Sequence, residues 1–166
     1  MIALLCILCF GLTARCIRNV LFMWSLLWAA AADCRRRVIP EGALIAGCAA
    51  WAVFLPLVRD NAPEAPEALC CAAAVFIVLF ALLAGARRIF GKKVLGGGDV
   101  KLLSVSALYT GFSGTLLTLL FSCAFGLLTA VIFRKSGKGQ FPFGPAIALS
   151  AGIVLLYREP LLQLIP

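Results

Sequence analysis

Histidine is absent from the 166-residue chain. That absence excludes a Ser-His-Asp triad and any zinc site that depends on imidazole. Charge is scarce as well. Asp, Glu, Lys and Arg make up 13% of the residues, about half of the roughly 25% usual in soluble domains. Only seven residues are acidic: Asp33, Glu41, Asp60, Glu64, Glu67, Asp99 and Glu159. The chain has no polar half from which a separate soluble domain could be built. Apolar residues reach 63%, and mean hydropathy is +1.07. These shortages leave one broad class, a membrane protein with several spans. The apolar runs are long and unbroken rather than alternating, so the spans are helices and not barrel strands. The expected fold is therefore all-α, a polytopic transmembrane helix bundle in one domain over residues 1–166.

Eight cysteines invite a disulfide or metal reading. Cys6 and Cys9 form a single C-x-x-C, and no second pair stands at zinc-ligand spacing. Cys70 and Cys71 are neighbours, and the others are scattered through apolar runs. They read as small, buried, apolar residues. No metal and no cofactor is expected.

The net charge of +8 is spread in short basic clusters between apolar runs. This is the pattern that orients membrane helices and suits an anionic inner leaflet; it does not point to nucleic acid. Residues 1–14 are a short apolar run before Arg15 and Arg18. Residues 19–32 are apolar up to Asp33, and we expect two short helices joined at the arginines. A competing reading takes this region as a secretory signal ending in small residues, but it would put Arg35, Arg36 and Arg37 outside, against the orienting rule. Further apolar spans cover 43–58, 68–86, 100–110 and 115–133, with a turn at 111–114. A last run follows Pro145, which fits a first helical turn. The pattern predicts six core helices, besides the short run at the N-terminus.

With Asp33 and Asp99 on the cytoplasmic side, that side holds eleven of the fifteen basic residues. The helix ending at Asp33 and the helix starting at Asp99 then meet the same face, although 66 residues separate the two acids. Two carboxylates brought together share one proton. The ionised member can take a proton from water while the neutral one donates to a carbonyl oxygen. Such a pair hydrolyses peptides without metal, nucleophilic side chain or cofactor. Gly96, Gly97 and Gly98, just before Asp99, can adopt positive φ and let a substrate backbone lie close. Plainer readings exist for each part. Asp99 can be a helix N-cap, Asp33 can pair with Arg37 one turn on, and Lys101 can snorkel at the interface.

Three stretches carry a resemblance. They are Asp33-Cys34-Arg35-Arg36-Arg37-Val38-Ile39-Pro40-Glu41, Gly96-Gly97-Gly98-Asp99-Val100-Lys101-Leu102 and Phe141-Pro142-Phe143-Gly144-Pro145-Ala146. In order and spacing the chain resembles the type IV prepilin peptidases, membrane aspartic proteases of the GxGD type, from about residue 19 to 160. The resemblance implies catalysis by Asp33 and Asp99. It implies that Gly96, Gly97, Gly98, Lys101, Arg37 and Pro40 are motif residues that position substrate. It also implies a plasma-membrane enzyme that cuts a short basic leader from prepilins or pseudopilins at the cytoplasmic face.

Glu41 departs from the asparagine usual in the family. Larger members carry an N-terminal region with paired cysteines linked to methylation. Nothing in residues 1–18 resembles it, so peptidase activity without methyl transfer is expected. The short form is similar to peptidases of Flp-type (Tad) pili or archaeal preflagellins. The alternatives are a small proton-coupled transporter with acids at helix ends, and a structural subunit whose acids only cap and pair. The partners implied by the main reading are a prepilin-like substrate and membrane lipids.

Overall fold

A computed structural model describes residues 14–57, 64–90, 96–134 and 143–162. These residues form five helices and no strand: α1 (Ala14–Arg36), α2 (Glu41–Phe54), α3 (Glu64–Phe90), α4 (Gly97–Arg134) and α5 (Gly144–Leu162). Helix α4 packs against α3 and α5, while α1 packs against α2 and α5. Two helical stretches, Ala65–Ile89 and Gly97–Val131, are long and apolar enough to cross a membrane.

The count differs from the six expected helices because the turn foreseen at 111–114 contracts to one residue. Gly111 has φ 67° and ψ −171°, a conformation only glycine adopts easily, and the helix resumes at once on its far side. Arg15 and Arg18, expected at a joint between two short helices, lie inside the first turns of α1. The apolar run before them falls outside the described residues. Pro66 and Glu67, expected in a loop, belong to the first turn of α3, where proline costs nothing. Arg87 and Arg88 lie in its last turn, where their charge complements the helix dipole.

Lipid is as apolar as a protein core, so burial alone gives membrane helices little reason to associate; close packing and hydrogen bonds hold them. Both are visible. A Cβ at Gly47 of α2 would lie 3.1 Å from Val105 Cγ1 and 3.2 Å from Ser25 Oγ, which brings α1, α2 and α4 together. Tyr109 of α4 stacks on Phe22 of α1 at 3.8 Å and donates its hydroxyl to the Gly47 carbonyl at 2.6 Å. The Arg18 guanidinium sits 5.6 Å above the same ring, a cation–π contact that softens the cost of an arginine within the bundle. Buried hydroxyls of Ser106, Thr110, Thr118 and Ser150 each donate to a carbonyl one turn back. They need no water for satisfaction. Large side chains such as Trp24, at 72% exposure, Ile77, Leu82 and Leu127 point outward, a surface suited to lipid.

Candidate functional site

Helical periodicity aims Asp33 inward. Buried residues of α1 fall at Cys16, Asn19, Phe22, Met23, Ser25, Leu26, Ala29 and Asp33, one stripe built on spacings of three and four. Asp33 closes that stripe and is only 7% exposed. The helix stops one turn later. Arg37 has φ 54°, and its N–H donates to the Asp33 carbonyl at 2.9 Å. This is a left-handed cap usually filled by glycine, and an arginine there costs about 1–2 kcal/mol. Pro40, extended at φ −70°, then starts α2. Asp33 forms no ion pair with Arg37 among the described residues, so the plainer reading of Asp33 does not hold.

Its carboxylate is held instead from the last helix. The Gly144 N–H donates to Asp33 Oδ2 at 2.8 Å. Gly144 opens α5, where backbone N–H groups lack helical partners and the dipole favours an anion. A side chain at 144 has no room: its Cβ would lie 2.7 Å from Asp33 Oδ2, 2.9 Å from Cβ and 3.0 Å from Cγ.

Asp99 is set by a local device. The N-cap position of α4 belongs to Gly96, and Asp99 is the third helical residue. The Gly96 N–H donates to Asp99 Oδ2 at 3.3 Å, and the Asp99 N–H donates to the Gly96 carbonyl at 3.2 Å. The acid therefore serves as the back-bonding member of a capping box, and the plainer reading of it as the N-cap does not hold. The glycines also differ from expectation. Among the described residues only Gly111 is a glycine with positive φ; Gly97 and Gly98 are helical. The close approach is real at Gly98, where a Cβ would lie 3.1 Å from Ile39 Cβ. Gly98 thereby lets the start of α4 touch the α1–α2 link.

Asp33 and Asp99 line one cleft of about 620 Å³. Arg37, Gly96, Gly97, Gly98 and Lys101 line the same cleft, with Val38, Ile39 and Leu44. Phe76 and Phe80 of α3, stacked at 5.8 Å, add an apolar wall. Pro40 is not part of the lining and contributes only through the geometry of the link.

Glu41 and Lys101 form an ion pair at 2.9 Å on the rim, with side chains 75% and 50% exposed. The hydrogen bond and charge of Lys101 hold the Glu41 carboxyl below the usual glutamate range. Lys101 is thus paired with Glu41 rather than snorkelling alone. Among the described residues no three His, Cys, Asp or Glu side chains gather as a metal site would require.

Sequence reasoning gave Gly144 no role at the site. Its part is played by a backbone N–H, which carries no side-chain signature. The available signal was a glycine directly before Pro145 at the start of an apolar run, a helix N-terminus able to face an anion.

A model described as the type IV leader peptidase family matches residues 20–131. That span contains both acids and stops short of Gly144. The prepilin leader peptidase/N-methyltransferase of Pseudomonas putida is 28% identical over 148 residues, covering 82% of this chain and 48% of the relative. The protein of that name from Pseudomonas aeruginosa is 26% identical over 157 residues, covering 90% and 52%. The one from Neisseria gonorrhoeae is 31% identical over 93 residues, covering 56% and 32%. The chain thus spans about half the length of the first and second of these relatives and about a third of the last. No solved structure matches it.

Proposed function

The chain belongs to the type IV leader peptidase family, and from that premise we propose that it is a membrane-embedded aspartic endopeptidase that removes the leader of prepilins or pseudopilins. The observation that carries the proposal is the convergence of Asp33 and Asp99, from α1 and α4, on one cleft.

In this reading the two carboxylates hold one proton between them. The ionised one takes a proton from an attacking water, and the neutral one protonates the carbonyl oxygen of the scissile bond. The tetrahedral intermediate collapses as a proton passes to the leaving amine. The apolar surroundings strengthen the coupling of the pair. Gly97, where a side chain would meet nothing within 4 Å, leaves space near Asp99 for a locally unwound substrate backbone, and Phe76 and Phe80 offer an apolar wall to a membrane segment. Arg37 shapes the end of α1, and Lys101 with Glu41 frames the rim. No metal or cofactor takes part, and methyl transfer lies outside the reading.

Counted as two passes on either side of Gly111, α4 brings the crossings to six. In that count the basic clusters favour the cytoplasmic face of the plasma membrane for the acids, by the rule that orients membrane helices. A transporter would put its acids mid-span on an ion route, whereas these sit at helix ends in one cleft.

The test is co-expression of the full chain with a prepilin from the same genome. Leader removal by the wild type, abolished when both aspartates become asparagine, is the expected result. Leader removal that survives the double substitution would overturn the proposal.

A further inference from the structure

We propose that Gly126, in the far part of α4, is a positioning residue for Asp33, acting through the ring of Phe143 and the amide of Gly144. The inference rests on the reading of Asp33 as half of the catalytic pair.

Gly126 is buried, lies outside the cleft lining and touches neither acid. What it provides is a notch. A Cβ there would overlap the ring of Phe143, with Cδ2 only 2.9 Å away. The ring occupies the space a side chain would take.

The next link is covalent. The carbonyl of Phe143 and the N–H of Gly144 belong to one planar peptide unit. The carbonyl accepts from Ala146 N–H at 3.0 Å and Ile147 N–H at 3.2 Å, which starts α5. The N–H, on the opposite edge, donates to Asp33 at 2.8 Å. Three anchors therefore hold this one plane: the ring in its notch, the carbonyl under α5 and the N–H on the carboxylate. Filling the notch forces the ring outward and tilts the plane. Asp33 cannot follow, because it lies buried at the end of the α1 stripe.

The test uses the purified full chain with Gly126→Ala. Gly85→Ala is the control, since a Cβ at Gly85 meets nothing within 4 Å. Two quantities are read, hydrogen exchange at the Gly144 amide and the kinetics of prepilin cleavage. In Gly126→Ala the Gly144 amide should exchange at least about tenfold faster, and kcat should fall about 10- to 100-fold, the range for losing a hydrogen bond to a charged group. KM should stay within about twofold, because substrate contacts are untouched. Shrinking the ring by Phe143→Leu in the Gly126→Ala background should restore most of both quantities; a purely structural glycine would instead lower stability without a loss confined to the Gly144 amide and kcat.

Phe143→Leu alone, which leaves the notch underfilled, should also speed Gly144 exchange and decides the matter if Gly126→Ala does not fold. Unchanged exchange at Gly144 in the variants, or no recovery in the double variant, overturns the proposal. If the wild type cleaves no prepilin, the peptidase reading fails while the exchange measurement still judges the positioning role.

Discussion

Replacing either aspartate by asparagine separates chemistry from architecture. An asparagine oxygen at 33 can still accept the Gly144 N–H that now lies 2.8 Å from Oδ2, and one at 99 can still accept the longer 3.3 Å bond from Gly96. What each substitution removes is the negative charge and the ability to exchange a proton. A hydrogen bond to a charged acceptor contributes about 1.5–3 kcal/mol and a neutral one about 0.5–1.5, so Asp33→Asn should destabilise by about 1–1.5 kcal/mol. For a chain of this size that is a shift in Tm of a few degrees. Asp99→Asn should cost less, its bond being longer. The rate should respond on another scale, because removing a general acid or base costs about 10²- to 10⁴-fold. The double variant should lose little more than the worse single one, since the two act as a unit. The assay is the time course of leader removal from a co-expressed prepilin, read by gel mobility beside a thermal-unfolding curve of each variant. Wild-type processing by either single variant would refute the pairing. Inactivity accompanied by a collapse in Tm would show that the acids matter for folding instead.

A shared proton also predicts a bell-shaped dependence of cleavage rate on pH, reporting two apparent values that belong to the pair; a rate that climbs steadily through the acidic and neutral range would contradict it. Two carboxylates need no metal, so treatment with a chelator should leave cleavage unchanged, and loss that returns on adding a metal would point to another mechanism. Because Lys101 lowers the Glu41 carboxyl below its ordinary range, the pair's contribution to stability is present above the unfolded glutamate pKa and disappears as pH falls through the lowered value. The Tm difference between wild type and Glu41→Gln should accordingly be small, positive at neutral pH and absent in acid, shrinking further with salt.

Much of this arrangement was legible in the residues, and the reasons differ by element. The acids stood out because each borders an apolar helix, and the stripe from Cys16 to Asp33 carries a helical period that fixes which way Asp33 points. The break in the long fourth helix was legible through Gly111 and Gly114, although the chain needs only one residue at positive φ to make it. Other parts had no local signal. The bond from Gly144 to Asp33 joins positions 111 apart through a backbone donor, and the ion pair of Lys101 with Glu41 joins positions 60 apart. Arg37 carries a conformation that composition would assign to glycine. The capping box of Asp99 escaped notice because the pattern for a cap and the pattern for a back-bonding third residue differ by three positions, and a run of three glycines fits both.

The position of Glu41 bears on how two acids coexist in so apolar a place. Asp33 lies in the last turns of α1, the negative end of a helix, where a carboxylate is disfavoured. The start of α5 offsets this, offering the N–H of Gly144 and a positive end directly to the carboxylate. Asp99 lies in the first turn of α4 and has the positive end of its own helix. Each acid is therefore balanced by a helix N-terminus, whose partial charge is about half a unit. A lysine or arginine placed against them would bring a full charge and convert the pair into an ion pair with no proton to share. Lys101 lines the same cleft and is the nearest such cation in sequence to Asp99, yet its ammonium is held 2.9 Å from Glu41. The glutamate at 41 thus engages Lys101 at the rim, while the carboxylates of Asp33 and Asp99 keep their partners at the helix ends, the N–H groups of Gly144 and Gly96.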